Sequence, residues 1–242
     1  MAHTGKKIKD VNHPVILALE TATMCGSVAI ISGKRCLAEF SLQSGETHSR
    51  RLLAAVDRLL QEAKIDCTAV DAVAVSQGPG SFTGLRIGLA TAKGLAMAAG
   101  TKVIGVGTLD GLAAQIFTHG DMLICPVLDA RKKEVYTGFY RGDSNGIPRL
   151  QGEYLAISPA DLCAVIDEPV LFLGDGITLY GDLFRAELAD LVIVPPAGIF
   201  FPRAAAVGLL ALEKWHRHEF LDAAGSEPLY IRLSEAEMLF GK

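Results

Sequence analysis

Histidines, cysteines and paired carboxylates are the usual carriers of chemistry, and this chain uses them sparsely. Its six histidines (His3, His13, His48, His119, His216, His218) contain one close pair, His216-x-His218. Two residues apart on a helix tail, the pair points to diverging sides, and a cation beside a helix C-terminus has a simpler explanation in the helix dipole. The five cysteines (Cys25, Cys36, Cys67, Cys125, Cys163) are odd in number and lack a C-x-x-C pair. That argues against a zinc ribbon or a disulfide framework and fits a reducing compartment. All but Cys67 sit in apolar runs or helices, which predicts small buried hydrophobes. No G-x-S-x-G elbow is present. His48-Ser49 opens a helix and reads as part of its first turn rather than as half of a nucleophilic dyad. Two carboxylates stand out instead: Glu20 and Asp129 each close an apolar, strand-like run.

The densest signal is Ser76–Ala96, SQGPGSFTGLRIGLATAKGLA. A strand, Asp71–Val75, enters a Gly/Pro-rich turn that opens directly into a helix. Each interior glycine costs a helix about 1 kcal/mol against alanine, so Gly84, Gly88 and Gly94 require a packing reason. Gly84, Gly88, Ala92 and Ala96 recur every fourth residue and share one face, leaving a groove into which a second backbone can approach. With Leu85 and Leu89 beside it, this face is expected to contact a partner. A phosphate-binding reading is weaker. The turn lacks a P-loop's Lys-Ser/Thr ending, does not match G-x-G-x-x-G, and loses an N–H at Pro79. A tight turn capped by Ser81 or Thr83 accounts for it better.

Those residues must be positioned by a sizeable core. The chain has 242 residues, half of them apolar and 21% charged, which excludes disorder. A net charge of −4 gives no general footprint for nucleic acid, so any RNA contact must be local or supplied by a partner. The polar leader Met1–His13 has no apolar segment behind it long enough for a signal peptide or a membrane span, and a cytoplasmic location is expected.

Periodicity predicts strands at Val15–Ala22, Gly26–Ile31 and Arg35–Leu42, then a helix over Glu46–Ala63 whose apolar face includes Leu52, Val56 and Leu59. Strand Asp71–Val75, helix Phe82–Ala99, strand Lys102–Val106 and a helix from Thr108 to about Phe117 follow. The order then repeats: strands Leu123–Asp129, Glu134–Arg141 and Leu150–Leu155, helix Ser158–Ile166, strand Val170–Leu173, helix Ile177–Glu187, strand Leu191–Val194, and a last helix Arg203–Arg217. The two halves align as β-β-β-α-β-α, with Glu20 and Asp129 at matched strand ends. The fold class is α/β, two duplicated subdomains with mixed sheets, divided as residues 14–106 and 107–242.

This element order resembles the actin/hexokinase/Hsp70-like (ASKHA) fold. More narrowly, ILALETAT, QGPGSFTGLRIGLATAKGLA, LFLGDG and PLYIR together resemble the TsaB (YeaZ) family, over nearly all of Val15–Arg232. The resemblance implies a non-catalytic subunit that supports a TsaD-type transferase, with a TsaE-type ATPase, in forming N6-threonylcarbamoyladenosine next to the anticodon of tRNAs that read codons starting with A. It implies a homodimer when the chain is alone, tRNA contact mainly through the complex, and no membrane. A metal-dependent glycoprotease-like (M22) peptidase, or an ATP-using small-molecule kinase, is the rival within the same fold.

The resemblance also bears on single residues. Where TsaD-like members carry a metal-binding His-x-x-x-His pair, this chain has Thr108 and Leu112, so neither a catalytic nor a metal site is expected. The implied partner interface is Leu52, Val56, Leu59, Gly84, Leu85, Gly88, Leu89, Ala92 and Ala96. The positions of the ASKHA nucleotide loops are Glu20, Thr21, Asp129, Arg131, Gly174, Asp175 and Gly176. Asp129-Ala-Arg-Lys-Lys-Glu134 has no glycine to let phosphate approach, so ATP or ADP is expected to bind weakly or only with a partner, and no cofactor is expected.

Overall fold

The computed structural model describes residues 13–43, 48–118, 121–196, 200–222 and 224–232. Glu46, where the sequence starts the first helix, and His3 and His119 lie outside them.

Alternating apolar residues build the first sheet from β1 (Val15–Glu20), β2 (Cys25–Ser32), β3 (Arg35–Gln43), β4 (Ala72–Gly78) and β5 (Lys102–Gly107), in the order β3-β2-β1-β4-β5. β1, β2 and β3 are antiparallel neighbours, whereas β1, β4 and β5 run parallel. Parallel neighbours need crossovers, here α1 (His48–Ala63) and α2 (Phe82–Ala99). Period-2 geometry divides the sheet's side chains. Leu17, Leu19, Val73, Val75 and Val103 pack with α1 and α2. Ile16, Ala18, Ala72, Ala74 and Ile104 belong to the opposite face.

After α3 (Thr108–Ala113) comes the second sheet, with β6 (Leu123–Asp129), β7 (Val135–Thr137), β8 (Tyr140–Gly142), β9 (Pro148–Leu150), β10 (Leu155–Ile157), β11 (Val170–Leu173) and β12 (Val192–Ile193). α4 (Pro159–Ala164) precedes β11 and α5 (Gly176–Leu188) follows it. The order β10-β7-β6-β11-β12 reproduces that of the first sheet, with β6, β11 and β12 parallel. The duplication read from the sequence is therefore real, although the strand expected over Glu134–Arg141 is broken. β7 pairs with Val127–Asp129, while β8 pairs with β6 at Ile124↔Tyr140. The break lets the Tyr140 ring turn inward, wholly buried, where its hydroxyl donates to Asp110 Oδ1 at 2.7 Å. The expected strand Leu150–Leu155 is likewise split between β9 and β10, and α3 stops four residues short of Phe117.

The last helix, α6 (Ala204–His216), corrects the expected division at residue 107. It packs on the far face of the first sheet, where Ala204, Val207 and Ala211 meet Ala18, Ala29 and Ala74. Its first turn is capped from that sheet: Ser27 Oγ accepts from Ala204 N at 3.1 Å, and Glu39 Oε1 accepts from Ala205 N at 2.9 Å. The alanines make room for a helix, and Gly208 completes the fit, because a β-carbon there would overlap the Ile31 side chain. Cys36 also departs from expectation. It is exposed on the edge strand β3, whereas Cys25, Cys125 and Cys163 are buried.

Gly208→Val should overpack this contact. A loss of about 2 kcal/mol, or roughly 4–8 °C in melting temperature for a chain of this size, is expected. An unchanged melt would show that α6 does not seat this closely.

Candidate functional site

The glycine helix faces inward. Leu85, Leu89, Ala92 and Ala96 are buried, as are Gly84 and Gly88, and Leu52, Val56 and Leu59 of α1 lie beside them against the first sheet. The nine residues expected at a partner interface are therefore core, and a docking partner would have to displace the sheet.

What the glycines admit is the turn after β1. A β-carbon at Gly84 would overlap the Thr21 carbonyl oxygen, one at Gly88 would overlap Thr21 Oγ1, and one at Gly80 would lie 2.6 Å from Ala22 O. In the space left, Thr21 Oγ1 donates to Gly84 O at 2.8 Å, and Ser81 N donates to Ala22 O at 2.7 Å. Ser81 is the N-cap, accepting from Gly84 N at 3.2 Å. The N–H groups that would cradle a phosphate at this helix start are thus partly occupied from within. His48, at the start of α1, closes the turn from the other side: its Nε2 lies 2.8 Å from Thr23 O, and its ring fills the space beside Gly26.

The residues at the nucleotide-loop positions fall into two groups. Glu20, at the end of β1, and Thr21, in the turn that follows, are fully buried. Glu20 Oε1 accepts from Ala22 N at 2.6 Å, and Oε2 has no hydrogen-bond partner among the described residues. Burial, only partly offset by these hydrogen bonds and one from Ser76, pushes the carboxyl from its ordinary 4.5 up to about 7. A half-neutral acid sealed in a sheet offers little to a nucleotide. The second group does converge. Asp129 N donates to Asp175 Oδ1 at 3.1 Å, and Arg131 pairs with Asp129 at 3.2 Å. Gly174, at φ +116, and Gly176 let the β11–α5 turn lie against Val127 O. Burial, followed by the charge of Asp129, raises the Asp175 carboxyl.

Thr108 and Leu112 sit one turn apart on α3, both buried, with Leu112 in an apolar cluster with Leu109, Ile124 and Leu173. Among the described residues no three His, Cys, Asp or Glu side chains converge as metal ligands would.

One feature of this region escaped the sequence reading. The segment after α6 lies across the motif as a strap. Leu229 N donates to Gln77 O at 2.6 Å, and Lys93 Nζ donates to Ser226 O at 2.7 Å. Tyr230 stacks on Phe82 at 5.2 Å and accepts from Arg86 Nε at 2.9 Å. Arg232 then reaches the second half, donating to Glu134 and Ala130 O. PLYIR is visible as a motif, but nothing in its spacing names these partners.

Beyond the strap, part of the outward side of α2 is left uncovered by the described residues. Ala90, Gly94 and Met97 are exposed and share a stripe at helical spacing, while Ile87 at its start packs partly against the core. Met97 is 83% exposed, and a β-carbon on Gly94 would meet nothing within 4 Å. α1 lies alongside, with Leu53 57% exposed.

Two sheets that share one five-strand order, with a carboxylate ending each leading strand, define an ASKHA-type α/β protein. Component A of (R)-2-hydroxyglutaryl-CoA dehydratase from Acidaminococcus fermentans shares the fold, with a TM-score of 0.50 at 9% identity over 83% of this chain and 98% of that one. A family model described as TsaD, tRNA N6-adenosine threonylcarbamoyltransferase, matches residues 42–240. The tRNA threonylcarbamoyladenosine biosynthesis protein TsaB of Escherichia coli is 41% identical over 90% of this chain and 94% of its own length. YeaZ from Pseudomonas aeruginosa superposes with a TM-score of 0.78 at 31% identity, covering 90% of this chain and 100% of that one. The chain belongs to the TsaB (YeaZ) family.

Two outcomes test this geometry. Gly88→Arg should fail to fold, because the side chain must enter the space of Thr21; a variant that melts like the wild type would return this face to the surface. Glu20→Gln should remove one component of the pH dependence. With its folded value raised, Glu20 contributes stability that is complete below about pH 4.5 and is lost as pH rises through 7. The glutamine variant should therefore gain on the wild type between pH 5 and pH 8, by up to about 3 kcal/mol. A difference in melting temperature that stays flat with pH would contradict the buried neutral acid.

Proposed function

We propose that this chain serves tRNA threonylcarbamoyladenosine biosynthesis as a partner subunit without a catalytic centre of its own. In this reading it supports a TsaD-type transferase, together with a TsaE-type ATPase, and docks through the outward faces of α1 and α2. The observation that carries the reading is Gly94. An exposed glycine in the middle of an 18-residue helix costs about 1 kcal/mol against alanine, and nothing among the described residues fills the space beside it. Gly84 and Gly88 have an internal reason for being glycine, and among the described residues Gly94 has none. Beside Ala90 and the exposed Met97, it leaves a shallow apolar surface against which a second helix can lie closely. Two helices of this length offer a surface on the scale of about 800 Å² per partner. In the absence of TsaD the same face would pair two copies of the chain.

Catalysis by the chain alone is not part of this reading. Leu112 cannot ligate a metal, and the loop at Asp129 has no glycine to admit phosphate.

Gly94→Arg separates the interface from the fold. The variant should melt no lower than wild type, because arginine is the better helix former. Its affinity for a TsaD-type partner should fall at least about a hundredfold, near 3 kcal/mol, from overpacking and an unpaired charge. Titration calorimetry showing undiminished binding by the folded variant would move the interface elsewhere. Depleting the chain in cells should also remove threonylcarbamoyladenosine from bulk tRNA, and nucleoside mass spectrometry finding normal levels would end the assignment.

A further inference from the structure

The β6–β7 turn holds a backbone outlier that the reading above does not use. Arg131, Lys132 and Lys133 are consecutive and all left-handed, with φ of 61, 53 and 63°. L side chains rarely adopt this region even singly, and glycine or asparagine is the usual occupant. Here three long cations occupy it, all exposed, with the Arg131 side chain 81% exposed. The turn is held from within. Asp129 Oδ1 accepts from Arg131 N at 2.9 Å, Ala130 N donates to Glu134 O at 3.0 Å, and Glu134 N donates to Arg131 O at 3.0 Å. Arg232 of the strap grips the base at Ala130 O and Glu134.

We propose that this turn is a preformed cationic tip that contacts the phosphate backbone of RNA. Strain at an exposed loop persists when the surroundings impose it, and such sites cluster where a molecule binds. The carboxylates of Asp129 and Glu134 sit at the base, where they fix the turn, while the exposed side chains of Arg131 and Lys133 carry charge outward. The Arg131–Asp129 pair is a surface pair of little worth, so Arg131 can exchange it for a phosphate. An RNA backbone fits better than a mononucleotide. The turn's N–H groups at Ala130, Arg131 and Glu134 are taken internally, so what it offers outward is mainly the charge of its exposed side chains. Charge alone suits the repeated, sequence-independent phosphates of a nucleic acid. Local positive charge is also what a chain of net charge −4 requires for any RNA contact.

The proposal rests on the tRNA role above, but it is tested apart from the α2 interface. Replacing Arg131, Lys132 and Lys133 together by asparagine keeps a residue type that tolerates the left-handed region while removing the charge. Binding of bulk tRNA to the full chain, wild type and variant, is followed by fluorescence anisotropy from about 50 to 200 mM salt. The variant should melt no lower than wild type, keep its affinity for a TsaD-type partner, bind tRNA at least about tenfold more weakly at low salt, and flatten the log–log salt dependence by about 1–2 units. If the triple variant melts early, the single reversal Lys133→Glu carries the same measurement. Equal binding and equal slope in wild type and variant, or no tRNA binding by the wild type at low salt, would overturn the proposal. So would substitutions that abolish ADP binding and leave tRNA binding intact, which would make the turn a mononucleotide site.

Discussion

The chain is organised around the seating of the β1–β2 turn against the glycine face of α2. The Thr21 hydroxyl and the Ala22 carbonyl lie where β-carbons of Gly84, Gly88 and Gly80 would otherwise be. Without those glycines the turn could not lie down, and Thr21 and Ala22 would lose the hydrogen bonds they make with Gly84 and Ser81. A buried carbonyl or hydroxyl left unpaired costs about 1–3 kcal/mol, so this contact sets both register and stability. It also fixes the distance between α2 and the first sheet. That distance in turn lets α1 pack beside α2 with Leu52, Val56 and Leu59 in the same core.

Two functional consequences follow from this one constraint. The end of β1, which precedes a phosphate loop in many ASKHA proteins according to the resemblance, is here an internal joint, with Glu20 sealed and held near neutrality by burial. At the same time α2 has two unlike faces. The inner one is small because the turn needs room, and the outer one is small without any need among the described residues, as Gly94 shows. In the proposed reading, a chain whose β1–β2 turn is filled from within and whose outer helix surface is left open by the described residues is suited to association. The strap adds a second joint: through Phe82, Arg86 and Tyr230 it grips the start of α2, and through Arg232 it reaches the turn of the second half.

Much of the fold was legible because its signals are local. Strand alternation, the Ser158-Pro159 helix start and the repeated element order all depend on residues close in sequence. The return of α6 to the first sheet was not legible. Alanines at positions 18, 29 and 74 announce a close neighbour, but their sequence does not say which helix it is. The site shows the same limit more sharply. A stripe of Gly84, Gly88, Ala92 and Ala96 calls for close approach by some backbone, and the chain's own Thr21 meets that need as well as a partner would. Only the space around each glycine distinguishes the two, and that is a property of the packed structure. The break between β7 and β8 follows from where Tyr140 must point, which is equally non-local.

The central claim, that the outward face of α2 is the working surface of this subunit, is tested most directly at Met97. Its thioether stands in solvent in the isolated chain and is open to oxidation by peroxide. Oxidation of Met97 would be followed by peptide mass spectrometry, with the chain alone and then saturated with a TsaD-type partner. The account predicts that the partner slows Met97 oxidation at least about tenfold, as full burial of an accessible thioether should. An unchanged rate at Met97 in the saturated complex would contradict it.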